Sequence, residues 1–95
     1  MDKNKALFVL GSLKPSLFKK YPIARLGIFG SVSRGEQGPD SDLDVLVEFH
    51  QSVGIEFISL AEELEEILNC KVDLVSRKGL KYRYFQEIEN DLIYV

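Results

Sequence analysis

Leu26-Gly27-Ile28-Phe29-Gly30-Ser31-Val32-Ser33-Arg34-Gly35 is followed, after five residues, by Ser41-Asp42-Leu43-Asp44-Val45-Leu46-Val47. The order reads strand, glycine turn, short helix, loop, strand. A turn able to hold phosphate is thereby joined to two carboxylates able to hold a metal. Phosphoryl and nucleotidyl transfer need both held together.

In a strand, alternate side chains share a face. Asp42 and Asp44 therefore point the same way, about 6.6–6.8 Å apart along the chain. Leu43, Val45, Val47 and Phe49 point the other way, into a core. Two acids on one face repel, and a divalent cation beside them removes that cost. Magnesium takes oxygen ligands and keeps several waters, so a few carboxylates plus substrate phosphates suffice. A third acid stands in Lys71-Val72-Asp73-Leu74-Val75. If that strand lies beside the second, Asp73 joins Asp42 and Asp44. Three such carboxylates can hold two metals roughly 3.5–4 Å apart, and Asp73 can help take a proton from a nucleophile.

Each feature also has a plainer reading. Asp40, Asp42 and Asp44 can be surface loop acids, and Asp73 an edge-strand gatekeeper. A calcium-binding hand counted from Asp40 needs Gly at its sixth position and Glu at its twelfth. The chain has Val45 and Gln51 there, which excludes it. At the turn, Gly30 permits positive φ and close backbone approach. Ser31 can cap the short helix or bond a phosphate oxygen, and the N–H groups of that helix start attract anions. Arg34 can reach a triphosphate or brace the turn. The turn is neither a Walker loop nor a dinucleotide fingerprint, because the required Lys and third Gly are missing.

Around this centre the rest of the chain reads as one small α/β (α+β) domain over residues 1–95. Ala6, Leu10, Leu13 and Leu17 recur at helical spacing, predicting a helix over residues 3–13 that Pro15 ends or restarts. Strands are predicted at 25–29, 42–49 and 72–76. Helices are predicted at 55–68, with Phe57, Ile58, Ala61, Leu64 and Leu68 on one face, and at 81–90, burying Tyr84, Phe85 and Ile88. Residues 92–95 form an extended tail. Tyr82, Tyr84, Phe85 and Tyr94 read either as core or as a surface for a partner. His50 reads as an exposed loop residue.

Net charge is −3, which argues against general attraction to nucleic acid. The charge is unevenly placed. Residues 1–39 carry seven Lys/Arg against two acids, and residues 40–76 carry ten acids against Lys71 alone. Glu62, Glu63, Glu65 and Glu66 read as a solvated helix face. No apolar run approaches the ~18 residues of a membrane span. The single cysteine, Cys70, suits a reducing compartment and reads as a buried, inert thiol, so a cytoplasmic protein is expected.

Taken together, Gly30-Ser31, Arg34-Gly35, Ser41-Asp42-x-Asp44 and Val72-Asp73-Leu74 resemble the nucleotidyltransferases of the DNA polymerase β superfamily. More narrowly, nearly the whole chain resembles the minimal nucleotidyltransferase (MNT) family, the antitoxin half of HEPN/MNT modules. The resemblance implies a small mixed sheet flanked by helices. It implies Asp42, Asp44 and Asp73 as catalytic metal ligands, with Gly30 and Ser31, and Arg34 beside them, as nucleotide binders. It implies magnesium, two ions in number, and transfer of NMP from an NTP, with ATP expected, to a hydroxyl. In antitoxin members that hydroxyl is a tyrosine of the HEPN ribonuclease. Larger relatives carry a further domain for the acceptor, so a HEPN partner or a homo-oligomer is expected to complete the site. The alternative is a catalytically silent binding module that neutralises its partner by contact.

Overall fold

One strand organises the molecule, with Leu46 buried on the face opposite Leu43, Val45 and Val47. In the computed structural model, which describes residues 1–95, Leu43, Val45 and Val47 are fully buried in one core cluster. Asp44 and Glu48, between and beyond them, stay partly open. The elements run α1 (Lys3–Lys20), β1 (Ile23–Phe29), α2 (Gly30–Arg34), β2 (Leu43–Phe49), α3 (Glu56–Leu68) and β3 (Val72–Ser76). A 3-10 turn (Arg77–Gly79), α4 (Tyr82–Glu89) and β4 (Ile93–Tyr94) complete the chain. The sheet order is β3-β2-β1-β4. β1 pairs antiparallel with β2 and with β4, and β2 pairs parallel with β3, so the sheet is mixed. The parallel pair needs a crossover connection, and α3 supplies it.

One face of the sheet is sealed by the two long helices. Ala6, Leu10 and Leu17 of α1 and Leu60, Leu64 and Leu68 of α3 meet Ile23, Leu26, Ile28, Leu43, Val45 and Val47 in that cluster. Burying each of these aliphatic side chains contributes roughly 1.5–3 kcal/mol before chain entropy is counted.

Several local expectations are corrected. α1 does not stop near Pro15 but runs unbroken through it to Lys20. Leu10 and Leu17, on either side of the proline, bury in the same core, and that outweighs a helix-interior proline's cost of about 3 kcal/mol. Asp2 caps the helix start, accepting from the Lys5 amide at 2.8 Å. In α3 the apolar face is Phe57, Leu60, Leu64 and Leu68; Ile58, expected there, is 57% exposed. Residues 57 and 58 lie about 100° apart on a helix of 3.6 residues per turn, so only one faces the sheet. Nothing in α4 is fully buried: Phe85 and Ile88 are half-buried, and Tyr84 is exposed. Tyr82 and Tyr94 are exposed as well, so the core reading of these tyrosines fails. Cys70 is half-buried rather than buried, and desolvation pushes its thiol pKa up, which keeps it protonated. The tail forms β4 on β1, and β1 starts two residues earlier than expected.

Candidate active site

The site forms where β1 ends and β2 begins. Phe29 pairs with Asp44, so the turn that leaves β1 stands over the acid that opens β2. Gly30 begins α2 with φ +77°, a conformation that side chains rarely adopt. A Cβ at Gly30 would lie 2.1 Å from Asp44 Oδ2. The glycine is therefore required twice, for its backbone angle and for the carboxylate packed against it. Gly35 ends α2 in the left-handed conformation at φ 73°, and its amide bonds the Val32 carbonyl at 3.1 Å. Phe29 cannot cap α2, so the first-turn N–H groups have no side-chain acceptor. Ser31 lies half-buried in that first turn.

Parallel pairing sets Asp73 of β3 directly beside Asp44 of β2. Asp42 precedes β2 and is exposed, as is Asp73. Burial raises the Asp44 pKa to about 6, helped by the charges of Asp73 and Asp42 and by a hydrogen bond with the Asp73 carboxyl. Arg34 opposes the rise with its positive charge. Asp44 thus feels the charge of both other acids, although Asp42 stands before the strand expected to include it. The three acids do not close into a cage: no three His, Cys, Asp or Glu side chains are grouped to hold a metal ion on their own. An all-oxygen set left open in this way fits magnesium, which takes one or two carboxylates plus phosphate oxygens and water.

Arg34 is less free than its position suggests. Its Nε donates to Glu36 Oε2 at 3.0 Å, and its Nη1 to Asp91 Oδ2 at 2.6 Å. Asp91 lies just before β4, and its backbone carbonyl accepts from Ser33 Oγ. Neither Ser33 nor Asp91 was among the expected site residues. Their partners are 58 and 57 residues away in sequence, and only the docking of β4 on β1 brings them together. His50 is exposed beyond the far end of β2 and takes no part.

A separate concavity lies elsewhere. About 700 Å³ in volume, it lies between the end of α1 and α3, lined by Lys20, Tyr21, Glu62, Glu63 and Glu66 among others. It contains none of the residues above. No helix is long and apolar enough to cross a membrane.

Comparison with known proteins agrees with the geometry. A family model described as a nucleotidyltransferase domain matches residues 5–95. The chain is 42% identical over 91 residues to "Putative protein adenylyltransferase MJ1379" of Methanocaldococcus jannaschii, covering 92% of this chain and 91% of the relative. It is 36% identical to the protein adenylyltransferase MntA of Thermococcus cleftensis, over 92% and 89% of the two chains. Among solved structures, one described as "Structure of putative minimal nucleotidyltransferase" superposes with a TM-score of 0.82 at 35% identity, over 98% and 95% of the chains. A toxin–antitoxin crystal structure with AMP-PNP superposes with a TM-score of 0.71 at 25% identity, covering 99% of this chain and 72% of that one.

Proposed function

The chain belongs to the nucleotidyltransferase domain family, and from that premise we propose that it transfers AMP from magnesium-bound ATP to a tyrosine hydroxyl of a partner HEPN toxin, acting as its antitoxin. One observation carries the reading. Asp44 rests against the Gly30 backbone, where any side chain would collide, so phosphate turn and metal-binding acids form one site.

In this reading Gly30 and Ser31 hold the triphosphate at the start of α2, and Arg34 lies beside it. Asp42, Asp44 and Asp73 would hold magnesium, two ions in this reading, together with the substrate phosphates. Bound there, magnesium neutralises phosphate charge and stabilises both the attacking and the leaving oxygens. The acceptor oxygen forms its bond to the α-phosphorus from the side opposite the leaving group. The bond from that phosphorus to the β-phosphate bridging oxygen breaks, and pyrophosphate leaves with the electron pair. Asp73, the exposed member of the Asp44–Asp73 pair, takes the hydroxyl proton. The relative named a protein adenylyltransferase, and the similarity to a toxin–antitoxin structure with AMP-PNP, support AMP as the group moved and a toxin as acceptor. Asp42 and Asp73 are exposed, which leaves room for the partner to present the acceptor. ATP as substrate and a single unpaired cysteine suit the cytoplasm.

The test uses ATP labelled at the α-phosphate, magnesium, and lysate of the native host. Wild type is expected to label one protein band. The Asp42→Asn/Asp44→Asn variant is expected to lose at least about a hundredfold of that rate. An undiminished rate in the double variant rejects the assignment. A stable partner complex that never takes label points instead to neutralisation by contact.

A further inference from the structure

We propose that Asp91 is a positioning residue for nucleotide binding, holding the Arg34 guanidinium in place at the end of α2 and clasping α2 to the C-terminal strand. The inference rests on reading Gly30–Arg34 as the phosphate turn, and it adds a residue that neither sequence motif nor resemblance assigns.

The geometry is specific. Arg34 has two carboxylate partners, and they are unequal. Glu36 is two residues away, 62% exposed and 3.0 Å from Nε. Asp91 is 57 residues away, 21% exposed and 2.6 Å from Nη1. The shorter, more sheltered contact dominates, because exposed pairs are weakened by solvent and by side-chain entropy. These two bonds use Nε and Nη1, and a guanidinium carries five N–H donors in a rigid fork. Nη2 keeps its donors for an anion. The positive charge of Arg34 also acts on Asp44, where it opposes the rise in pKa. A fork fixed at two points presents its remaining donors in one direction, which is what oxyanion recognition requires.

Asp91 itself is anchored. Its carbonyl receives the Ser33 hydroxyl from the middle of α2. Two residues on, Ile93 pairs with Ile28, and the Val95 amide bonds the Leu26 carbonyl at 2.9 Å. The Arg25 guanidinium stacks 4.6 Å from the Tyr94 ring centroid. The C-terminal strand is therefore tied to β1 before the turn and, through Asp91, to α2 after it. A bond to the backbone carbonyl survives any substitution of the side chain, so the two halves of the clasp can be separated by mutation.

The experiment measures Mg·AMP-PNP affinity by calorimetry for wild type, Asp91→Ala, Asp91→Asn, Arg34→Ala and Arg34→Ala/Asp91→Ala. Circular dichroism confirms that each is folded. Asp91→Ala is expected to weaken binding about three- to tenfold, the scale of one charge-assisted hydrogen bond in partial solvent. Asp91→Asn, which keeps an acceptor oxygen but no charge, is expected between it and wild type. In the Arg34→Ala background, Asp91→Ala is expected to change nothing further. That silence separates action through Arg34 from a loss of stability alone. Wild-type affinity in Asp91→Ala, or an equal loss with and without Arg34, overturns the positioning role. If Asp91→Ala does not fold, the same comparison is read from Asp91→Asn with and without Arg34→Ala. A wild type with no affinity for the nucleotide rejects the phosphate-turn reading itself, which is a different failure.

Discussion

Asp44 and Glu63 are both half-buried carboxylates at the edge of the same small core, and their surroundings push them in opposite directions. Glu63 sits on α3 facing the end of α1. Lys20 Nζ and the Tyr21 hydroxyl each donate to its Oε1 at 2.8 Å, and its pKa is lowered as a result. Asp44 finds no such donors. Burial and two neighbouring acids raise its pKa to about 6. At the α1–α3 seam the fold satisfies its charge with its own residues. Where β1 ends and β2 begins it gathers acids, and Arg34, the cation that acts on Asp44, is already engaged by Glu36 and Asp91. A purely structural surface gains nothing from that arrangement, whereas a site that takes up a cation with its substrate does.

Removing the space between turn and acid should break the contrast most severely. Gly30→Ala places a Cβ 2.1 Å from Asp44 Oδ2 and forces a side chain to φ +77°. Either the acid moves or the turn does, and the two halves of the site part. Transfer should fall at least about a hundredfold. Stability should fall by about 1–3 kcal/mol from backbone strain. Rate and urea midpoint measured on the same sample check both. A variant with wild-type turnover shows that the close approach is incidental.

Neutralising Asp44 should sharpen the contrast, because it separates stability from function. A carboxyl whose folded pKa is raised holds its proton more tightly folded than unfolded. Its contribution to stability is fully present below the unfolded value, 3.8, and is lost as pH rises through about 6. Above pH 6 the folded chain carries the full cost of the charge. Asp44→Asn removes that cost, so in EDTA at pH 7.5 the variant should be more stable than wild type by about 1–2 kcal/mol. The difference should vanish at pH 3.5, and transfer should be lost throughout. Equal stability of the two proteins at pH 7.5 contradicts an uncompensated charge at Asp44.

The same contrast explains what could be read in the chain and what could not. Strand alternation placed Asp44 opposite Leu43 and Val45, and the spacing from Gly30 to Asp42 placed turn and acids together. Both depend on local geometry and near neighbours, and both agree with the structure. The family was legible in the same motifs, and the mixed sheet followed from the resemblance they carry. Helix faces were less so. Phe57 and Ile58 are equally apolar, and only packing on the sheet selects Phe57 and leaves Ile58 exposed. Pro15 looks like a stop until the burial of Leu10 and Leu17 on both sides is counted. α4 is amphipathic yet buries no residue fully, and Phe85 lies under the Arg77 guanidinium at 4.0 Å. Asp91 could not be found at all. Its partner is 57 residues away, and an acid between two short elements carries no pattern of its own.

The smallest effect belongs to the satisfied carboxylate. Glu63 has a lowered pKa, caused first by the Lys20 hydrogen bond. A depressed carboxylate contributes stability above its unfolded pKa and loses it as pH falls through the folded value. Lys20 is 62% exposed, which discounts the pair heavily. Glu63→Gln should therefore cost about 0.5–1 kcal/mol at pH 7. The loss should shrink with added salt and disappear in acid, the reverse of the pH sense expected for Asp44→Asn. Tyr21 adds a second signature: its hydroxyl, held near pKa 12 by burial and by Glu63, should titrate at lower pH in the variant, read by absorbance at 295 nm in the folded protein. A Glu63→Gln protein whose tyrosine titration is unchanged removes Glu63 as a partner of Tyr21. Lys20 Nζ would then be the one donor left to satisfy Glu63, and the contrast with Asp44 would rest on that exposed pair.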